Sequence, residues 1–357
     1  VSAPPRVHRL ARGYKTIRLD TGESMKPTLH ITLVGLAAGM LLAGCGENGP
    51  NKPNIAIGPP ASTTQNVSQM IFDAYGIDKD AYTTYQEGFG AALDGVQDGN
   101  IDVSIGILGL PSGSIENLQA AAGDARLVSL SDAAIEYLEA NSAYRRFTIP
   151  AGSYNFQDED VNTITAYAVL VGNTSTISEE LGYELAKVMH EHAEENTHAQ
   201  SSFITLKNAL NGSEGLPIHP GAKRYYQEQG LTVGNPVATL GDITQKQEFI
   251  LGTGSQGGTY YPLGGEMATI WNRHLSGRNF TNIETGASIE NLVSIRDGRM
   301  DLGMTVHAPA QDAVAGQGEF KEAQVTNVAF IGHIYPEVIQ IVTRESSDFK
   351  AFDDLAN

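Results

Sequence analysis

The chain has 357 residues, 41% hydrophobic and 18% charged, with 41 Asp+Glu against 23 Lys+Arg and a formal net charge of −18. That length allows roughly two domains with cores of their own. The acid excess excludes a general nucleic-acid binder, which needs surplus Lys/Arg for phosphates. The single cysteine excludes an intramolecular disulfide, no Cys/His spacing resembles a zinc site, and the apolar share excludes a disordered acidic chain.

Residues 1–24 are basic, show no amphipathic period and read as a non-native or upstream leader, with Met25 as the natural start. Residues 25–44 read as a lipoprotein signal peptide. Met25-Lys26 is a short positive start, and residues 31–43 form an apolar run too short to span a bilayer. Leu42-Ala43-Gly44-Cys45 resembles the bacterial lipobox, in which the cysteine is lipidated and becomes the new N-terminus. The plainer alternative is an incidental cysteine. Lipidation at Cys45 would tether the chain outside the membrane, through a polar Gly/Pro segment over 45–51. Residues 1–44 hold 6 of the 23 basic residues and 2 of the 41 acidic ones, so the acidity belongs to the chain from Cys45 onward.

Beyond the tether, 53–58 (PNIAIG) reads as a short buried strand. Apolar spacing in 64–75 predicts a helix that starts near Ser62 or Thr63. Residues 88–97 read as a helix and 101–108 as a strand. The second half repeats the plan: a strand at 249–252, a Gly-rich turn, a helix at 259–274, a strand at 280–284, a helix at 288–296 and a strand at 300–305. The closest internal match sets Asp98-Gly-Asn-Ile-Asp-Val-Ser-Ile105 against Asp297-Gly-Arg-Met-Asp-Leu-Gly-Met304. Such a repeat predicts two similar α/β lobes. Its glycine suits a left-handed helix end before a buried strand.

The strongest local motif is Gly252-Thr-Gly-Ser-Gln-Gly-Gly-Thr-Tyr-Tyr-Pro262. It follows a strand and opens a helix, which makes an anion site of backbone N–H groups. Gly252-x-Gly254-x-x-Gly257 also fits a dinucleotide fingerprint, with Glu284 as the ribose acid, but a lone GxGxxG is a weak signal. In the matching turn of the first half, Ser62, Thr63 and Thr64 either cap the helix or cap it and face a ligand. No catalytic constellation emerges. His190, His192 and His198 read as solvated, and His190-Glu-His192 lacks the i,i+4 spacing of a helical metal pair. His307 is a loop histidine or a ligand contact at a strand's C-terminal end. Gln157-Asp-Glu-Asp160 reads as a solvated loop, without the EF-hand spacing. No cofactor or metal is expected, and no enzyme activity.

From about Pro53 to Asn357 the sequence resembles the TAXI-type solute receptors of tripartite ATP-independent periplasmic (TRAP) transporters. The residues that carry this are Gly252–Pro262, Thr285–Leu292 (TGASIENL), Asp297–Met304, Tyr335-Pro-Glu337 and Ile339–Arg344 (IQIVTR). In the first half they are Gly58–Thr64, Asp98–Ile105, Thr148–Gly152 (TIPAG), Gln157–Val161, Ile218–Ala222 (IHPGA) and Tyr225-Tyr226. The order is reversed relative to the family, and joining Asn357 to Lys52 restores it. The chain therefore resembles a circularly permuted member, genuine or misassembled, with Asn357 and Lys52 expected to be neighbours near the hinge. The expected organisation is lobe 2 over 52–165, a return to lobe 1 over 166–231, a linker over 232–246 and lobe 1 with a crossing strand over 247–357.

The resemblance implies an α/β, two-lobe periplasmic-binding-protein fold, type II-like, with crossing strands near 339–343 and 163–170. It implies a small organic anion in the interlobe cleft, glutamate-like or a dicarboxylate or 2-oxo acid, handed to a membrane permease. Ser255, Gly257, Gly258 and Thr259 would meet its carboxylate, with Tyr261 and Tyr260 as walls and Ser62, Thr63 and Thr64 closing from the other lobe. Gln256, Ser288, His307 and Pro111 complete the candidate ligand set; relatives usually carry Gln where His307 stands. The expected location is periplasmic or cell-surface, lipid-anchored. The rival readings are a ligand-sensing surface lipoprotein of the same fold and a dinucleotide-binding oxidoreductase.

Overall fold

A computed structural model of the chain describes residues 52–355; Cys45 and the leader, signal and tether lie outside them. The first half opens with strand β1 (Asn54–Ala56), helix α1 (Thr63–Tyr75), β2 (Thr83–Tyr85), α2 (Phe89–Gln97) and β3 (Val103–Leu108). It continues through α3 (Gly113–Ala122), β4 (Ala125–Leu127), α4 (Asp132–Asn141) and β5 (Arg145–Ile149). The long strand β6 (Val161–Asn173) leads to α5 (Glu179–Glu191) and α6 (Pro220–Glu228). The second half continues as β7 (Glu248–Gly252), α7 (Tyr260–His274), β8 (Asn279–Ile283), α8 (Ser288–Arg296), β9 (Leu302–Val306), α9 (His307–Ala315) and β10 (Val328–Arg344).

The main sheet runs β2-β1-β3-β10-β6-β9-β7-β8, with β4 on β10 and β5 on β6. Its outer triplets, β2-β1-β3 and β8-β7-β9, are each parallel. Each is a βαβαβ unit, so its apolar strands are covered by helices. The central pair is antiparallel to both and runs through both halves: β10 pairs with β6 from Val328 and with β3 from Val338 to Thr343. This is the two-lobe α/β architecture with crossing strands that the sequence predicts, although β10 spans 17 residues where a five-residue crossing was expected.

The Asp-Gly repeat has a structural reason. Gly99 and Gly298 sit at φ +75° and +70°, closing α2 and α8. The second aspartate then staples the next strand to the first. Asn54 N donates to Asp102 Oδ2 at 2.7 Å, and Ile250 N donates to Asp301 Oδ2 at 2.8 Å. The same carboxylate type therefore locks strand order in each lobe.

Lobe 1 has one core. Trp271, Leu292, Leu302 and Met304 meet Leu185, Tyr226 and Phe330 within it. Lobe 2 has two, one on each face of its sheet: Ile55, Ile71, Phe72 and Ile105 on one side, Val96, Ile115, Leu118 and Val342 on the other. Each such side chain is worth roughly 1.5–3 kcal/mol on burial. The chain beyond β10 packs in lobe 2, where Phe352 is fully buried against Phe72 and Tyr75. Lys52, Pro53, Asp354 and Leu355 line one surface hollow. That hollow lies at the start of β1 and the end of β10, roughly 17 Å along the strand from the crossing point, and so not near the hinge. Residues 232–246 lie along lobe 1, where Ala238 N donates to Ile218 O and Gly241 N to Thr174 O.

Candidate functional site

The C-terminal ends of the parallel strands in both lobes face one another. Between them lies a small cavity whose interior volume open to water is about 70 Å³. Helix N-termini converge on it: α1 and α2 from lobe 2, α7 and α8 from lobe 1. Each brings first-turn N–H groups without intrahelical partners and a partial positive charge. Among the described residues no lysine, arginine or histidine lines the cavity, so the helix ends are its main source of positive potential.

The α1 entry is closed locally. Gly58, at φ +88°, ends the strand where a Cβ would stand 2.6 Å from Thr64 Cβ. Ser62 Oγ accepts from Gln65 N at 3.1 Å, and Gln65 Oε1 accepts from Ala61 N at 3.0 Å, much as in a capping box. The capping role of Ser62 is therefore real, while Thr63 Oγ1 is buried without a hydrogen-bond partner on the cavity wall.

At the lobe 1 entries Glu290 Oε2 reaches back to accept from Gly286 N at 2.6 Å, but the cap positions themselves differ from α1. Neither Thr259 nor Ala287, the caps of α7 and α8, makes a side-chain cap bond. Thr259 Oγ1 instead accepts from Gly109 N of lobe 2 at 2.9 Å. Ala287 holds φ 67° and ψ −144°, a conformation that costs a non-glycine residue on the order of 1–3 kcal/mol. Thr285 Oγ1 fixes that turn by accepting from Ala287 N and donating to Thr253 O, both at 3.0 Å. The lobes are also in direct contact: Ser114 Oγ donates to Gly257 O at 2.8 Å, and a Cβ on Gly257 would fall 2.4 Å from Gly90 Cα.

Of the sequence candidates, Ser62, Thr63, Thr64, Ser255, Gly258, Thr259, Tyr260 and Ser288 all line the cavity. Five others do not. Gln256 points to solvent, where Glu284 accepts from its N and Nε2; the acid expected for a ribose is thereby occupied. Gly257 serves the lobe–lobe contact. Tyr261 is half-buried off the cavity, its carbonyl accepting from Asn282 Nδ2. His307 turns back onto β6, where Nδ1 accepts from Tyr167 N at 3.1 Å and burial pushes its pKa down to about 4. Pro111 is exposed, and its carbonyl accepts from Gln200. Strand-end position marks such residues as candidates, but only side-chain direction decides.

The sequence reading missed Glu87, Phe89, Thr285 to Ala287 as site wall, and Glu337. Glu337 is 2% exposed and lines the cavity from β10. Tyr335 and Tyr260 donate to its two carboxyl oxygens at 2.9 and 3.0 Å. Burial pushes its pKa up to about 8 against those hydrogen bonds. The Tyr335-Pro-Glu337 motif was the available signal, but nothing in it says that the acid faces a cavity.

Two expectations need correction. His190 is not solvated: it packs on Tyr225 and Tyr226, and burial lowers its pKa. Gln157 is buried, donating to Ile149 O and Glu159 O. His192 and His274 stack at 3.6 Å over Glu195, which accepts hydrogen bonds from both and from Arg273.

The class so defined is a two-lobe α/β fold with a cavity between the lobes. The chain belongs to the NMT1-like family, whose family model matches residues 51–230 and 251–357. Solved structures with some likeness include a phosphate-binding protein of a phosphate ABC transporter from Streptococcus pneumoniae, 10% identical, covering 85% of this chain and 94% of that one at a TM-score of 0.36. Others are a binding-protein component of an ABC phosphonate transporter from Pseudomonas aeruginosa (10% identical, 83% and 70% covered, TM-score 0.37) and the arginine-bound form of truncated ArgBP from T. maritima (10%, 85% and 91%, 0.35). The architecture rests on this chain's own strand order. No helix among the described residues is long and apolar enough to cross a membrane.

Proposed function

We propose that this protein is an extracytoplasmic solute receptor that holds a small organic anion between its lobes. The ligand would be glutamate-like, a dicarboxylate or a 2-oxo acid, delivered to a TRAP-type membrane permease. The observation that carries the reading is the convergence of α1, α2, α7 and α8 N-termini on one cavity that, among the described residues, no basic side chain lines. N–H groups at helix ends bind carboxylates without a catalytic base. Ser255, Gly258, Thr259 and Ser288 would meet the anion from lobe 1, and Thr63 and Thr64 from lobe 2. The receptor would be anchored through lipidated Cys45. Closure of the lobes about β6 and β10 would sequester the solute.

Thermal unfolding of the chain in the presence of succinate, 2-oxoglutarate and L-glutamate tests this. At least one acid should raise the melting temperature, by an amount that grows with concentration. Thr63→Ala and Ser288→Ala should weaken that shift. No stabilisation by any small organic acid would remove the reading.

The permuted order belongs to the same proposal. It is supported by the family match in two pieces on either side of 231–250 and by the shared hollow of Lys52 and Leu355. A chain rebuilt to start at Gln247 and run through Asn357 into Lys52 should fold and bind the same acid. Failure of that chain to fold would speak against it.

A further inference from the structure

The charge state of Glu337 decides what the cavity can accept. The residue stands opposite Ala166, where β10 leaves lobe 1 for lobe 2. Two buried phenols donate to its carboxyl, Tyr335 on its own strand and Tyr260 on α7, and buried Tyr144, between α4 and β5, feels its charge. From the strands beside it, β3 presents only Ile105 to Leu108 to the cavity and β9 presents Val306, while Ser288 Oγ on α8 accepts from Val306 N. Thr165 on β6 donates its hydroxyl to Glu337's own carbonyl. The other carboxylate on the cavity wall is Glu87, ahead of α2 and exposed at the mouth. No cation pairs with Glu337 among the described ion pairs.

Burial without a counter-charge favours the neutral acid, while the N-termini of α7 and α8 favour the anion. A bound organic anion takes up that positive potential and adds a like charge beside the carboxyl. Two carboxylates side by side in one cavity do not both stay ionised. The phenols already donate to both oxygens of Glu337, so its own proton is directed toward a ligand oxygen.

We infer that an anionic ligand binds in this cavity together with one proton, held on Glu337 as a carboxylic acid that donates its O–H to the ligand. The inference rests on the organic-anion reading above. The balance is simple: the carboxylate gains one proton from solvent, no covalent bond changes in the ligand, and release returns the proton. The receptor thus delivers acid and anion as a pair.

Titration calorimetry with succinate as probe, at pH 7 and pH 9 in buffers of different ionisation enthalpy, counts the protons. Uptake should approach one proton per ligand at pH 9 and be smaller at pH 7, where much of the free protein already carries it. Affinity should fall about tenfold per pH unit above about 8. In Glu337→Gln, whose amide keeps a donor but no titratable proton, uptake should vanish and affinity should no longer fall with pH. Succinate binding at pH 9 without proton uptake overturns the inference alone. So does loss of succinate binding in a folded Glu337→Gln, because the amide keeps the donor that the inference requires. Absence of binding to succinate, 2-oxoglutarate and L-glutamate alike overturns the anion reading, and the inference with it.

Discussion

Lobe 2 meets the cleft with a helix that is finished by its own residues: Ser62 caps α1, and Gln65 reaches back to Ala61. Lobe 1 meets it with α7 and α8, whose caps make no side-chain cap bond and whose turn at Ala287 is strained. The two lobes share strand order and the Asp-Gly staple, so these features belong to the architecture. They differ at the helix ends. Helix α2 of lobe 2 is also without a side-chain cap, so open N–H groups lie on both lobes, and lobe 2 adds the contacts of Gly109 and Ser114. Repetition thus identifies what holds the fold.

The lobes also differ in how they use the end of the chain, and this gives the largest expected effect. Phe352→Ala should cost about 4 kcal/mol, because a fully buried phenylalanine leaves a cavity among Phe72 and Tyr75. Hydrogen exchange should accelerate in β1 and β3 and not in β7 and β9. Equal acceleration in both lobes would erase the distinction.

The staples are alike in sequence but not in burial. Asp301 is 2% exposed and also holds Lys246 Nζ at 2.8 Å; Asp102 is half-buried and has no such partner among the described ion pairs. Asp301→Ala should lower urea-unfolding stability by about 3 kcal/mol and Asp102→Ala by about 1 kcal/mol. Equal losses would mean that burial does not set the strength of the staple.

The pH limbs separate by region as well. His307 and His333, both at the lobe 1 side of the crossing strands, are pushed down to about 4 by burial. Stability that depends on their neutrality is full above about 6.5 and is lost as pH falls through about 4. Glu337, at the crossing point, has a raised pKa. Its neutral state costs nothing below about 4.5, and stability is lost as pH rises through about 8. Melting temperature against pH should show both limbs in the unliganded protein. His307→Gln should flatten the acid limb and Glu337→Gln the alkaline one.

The smallest effect is at Ala287. Ala287→Gly relieves a positive φ and should change stability by up to about 1 kcal/mol, toward the stable side if relief exceeds the entropy glycine adds. Because the same turn presents the α8 N-terminus, ligand affinity should fall as this turn loosens. A stabilised variant with unchanged affinity would separate the strain from binding.

Much of the plan is legible in the residues. Helical spacing locates α1, α7 and α8 to within about a residue, because their apolar faces repeat at 3.6, and the D-G-x-φ-D match reveals the duplicated unit. Several elements gave no such signal. Short β4 and β5 pair only with long strands that gather residues far apart in the chain. Helix α6 lies in a stretch whose polar composition masks its buried face. The loops that open α1 and α7 are visible as Gly- and Ser/Thr-rich turns at strand ends. The wall that α8 and β10 add depends on how those turns are brought together.

What the sequence alone determined is local and periodic: strands apolar on both faces, glycine where a positive φ ends a helix, serine or threonine where a helix begins. It also determined that the chain repeats itself, because the Asp-Gly element serves the same backbone bond in each lobe. Only the tertiary structure decided which side chains share the cavity. Two neighbours in sequence, Gly257 and Gly258, end up in a lobe contact and in the cavity wall, while His307 turns away from the cleft it borders. Glu337 becomes a site residue because β10 crosses between lobes, and burial beside two phenols, which no spacing encodes, sets its charge.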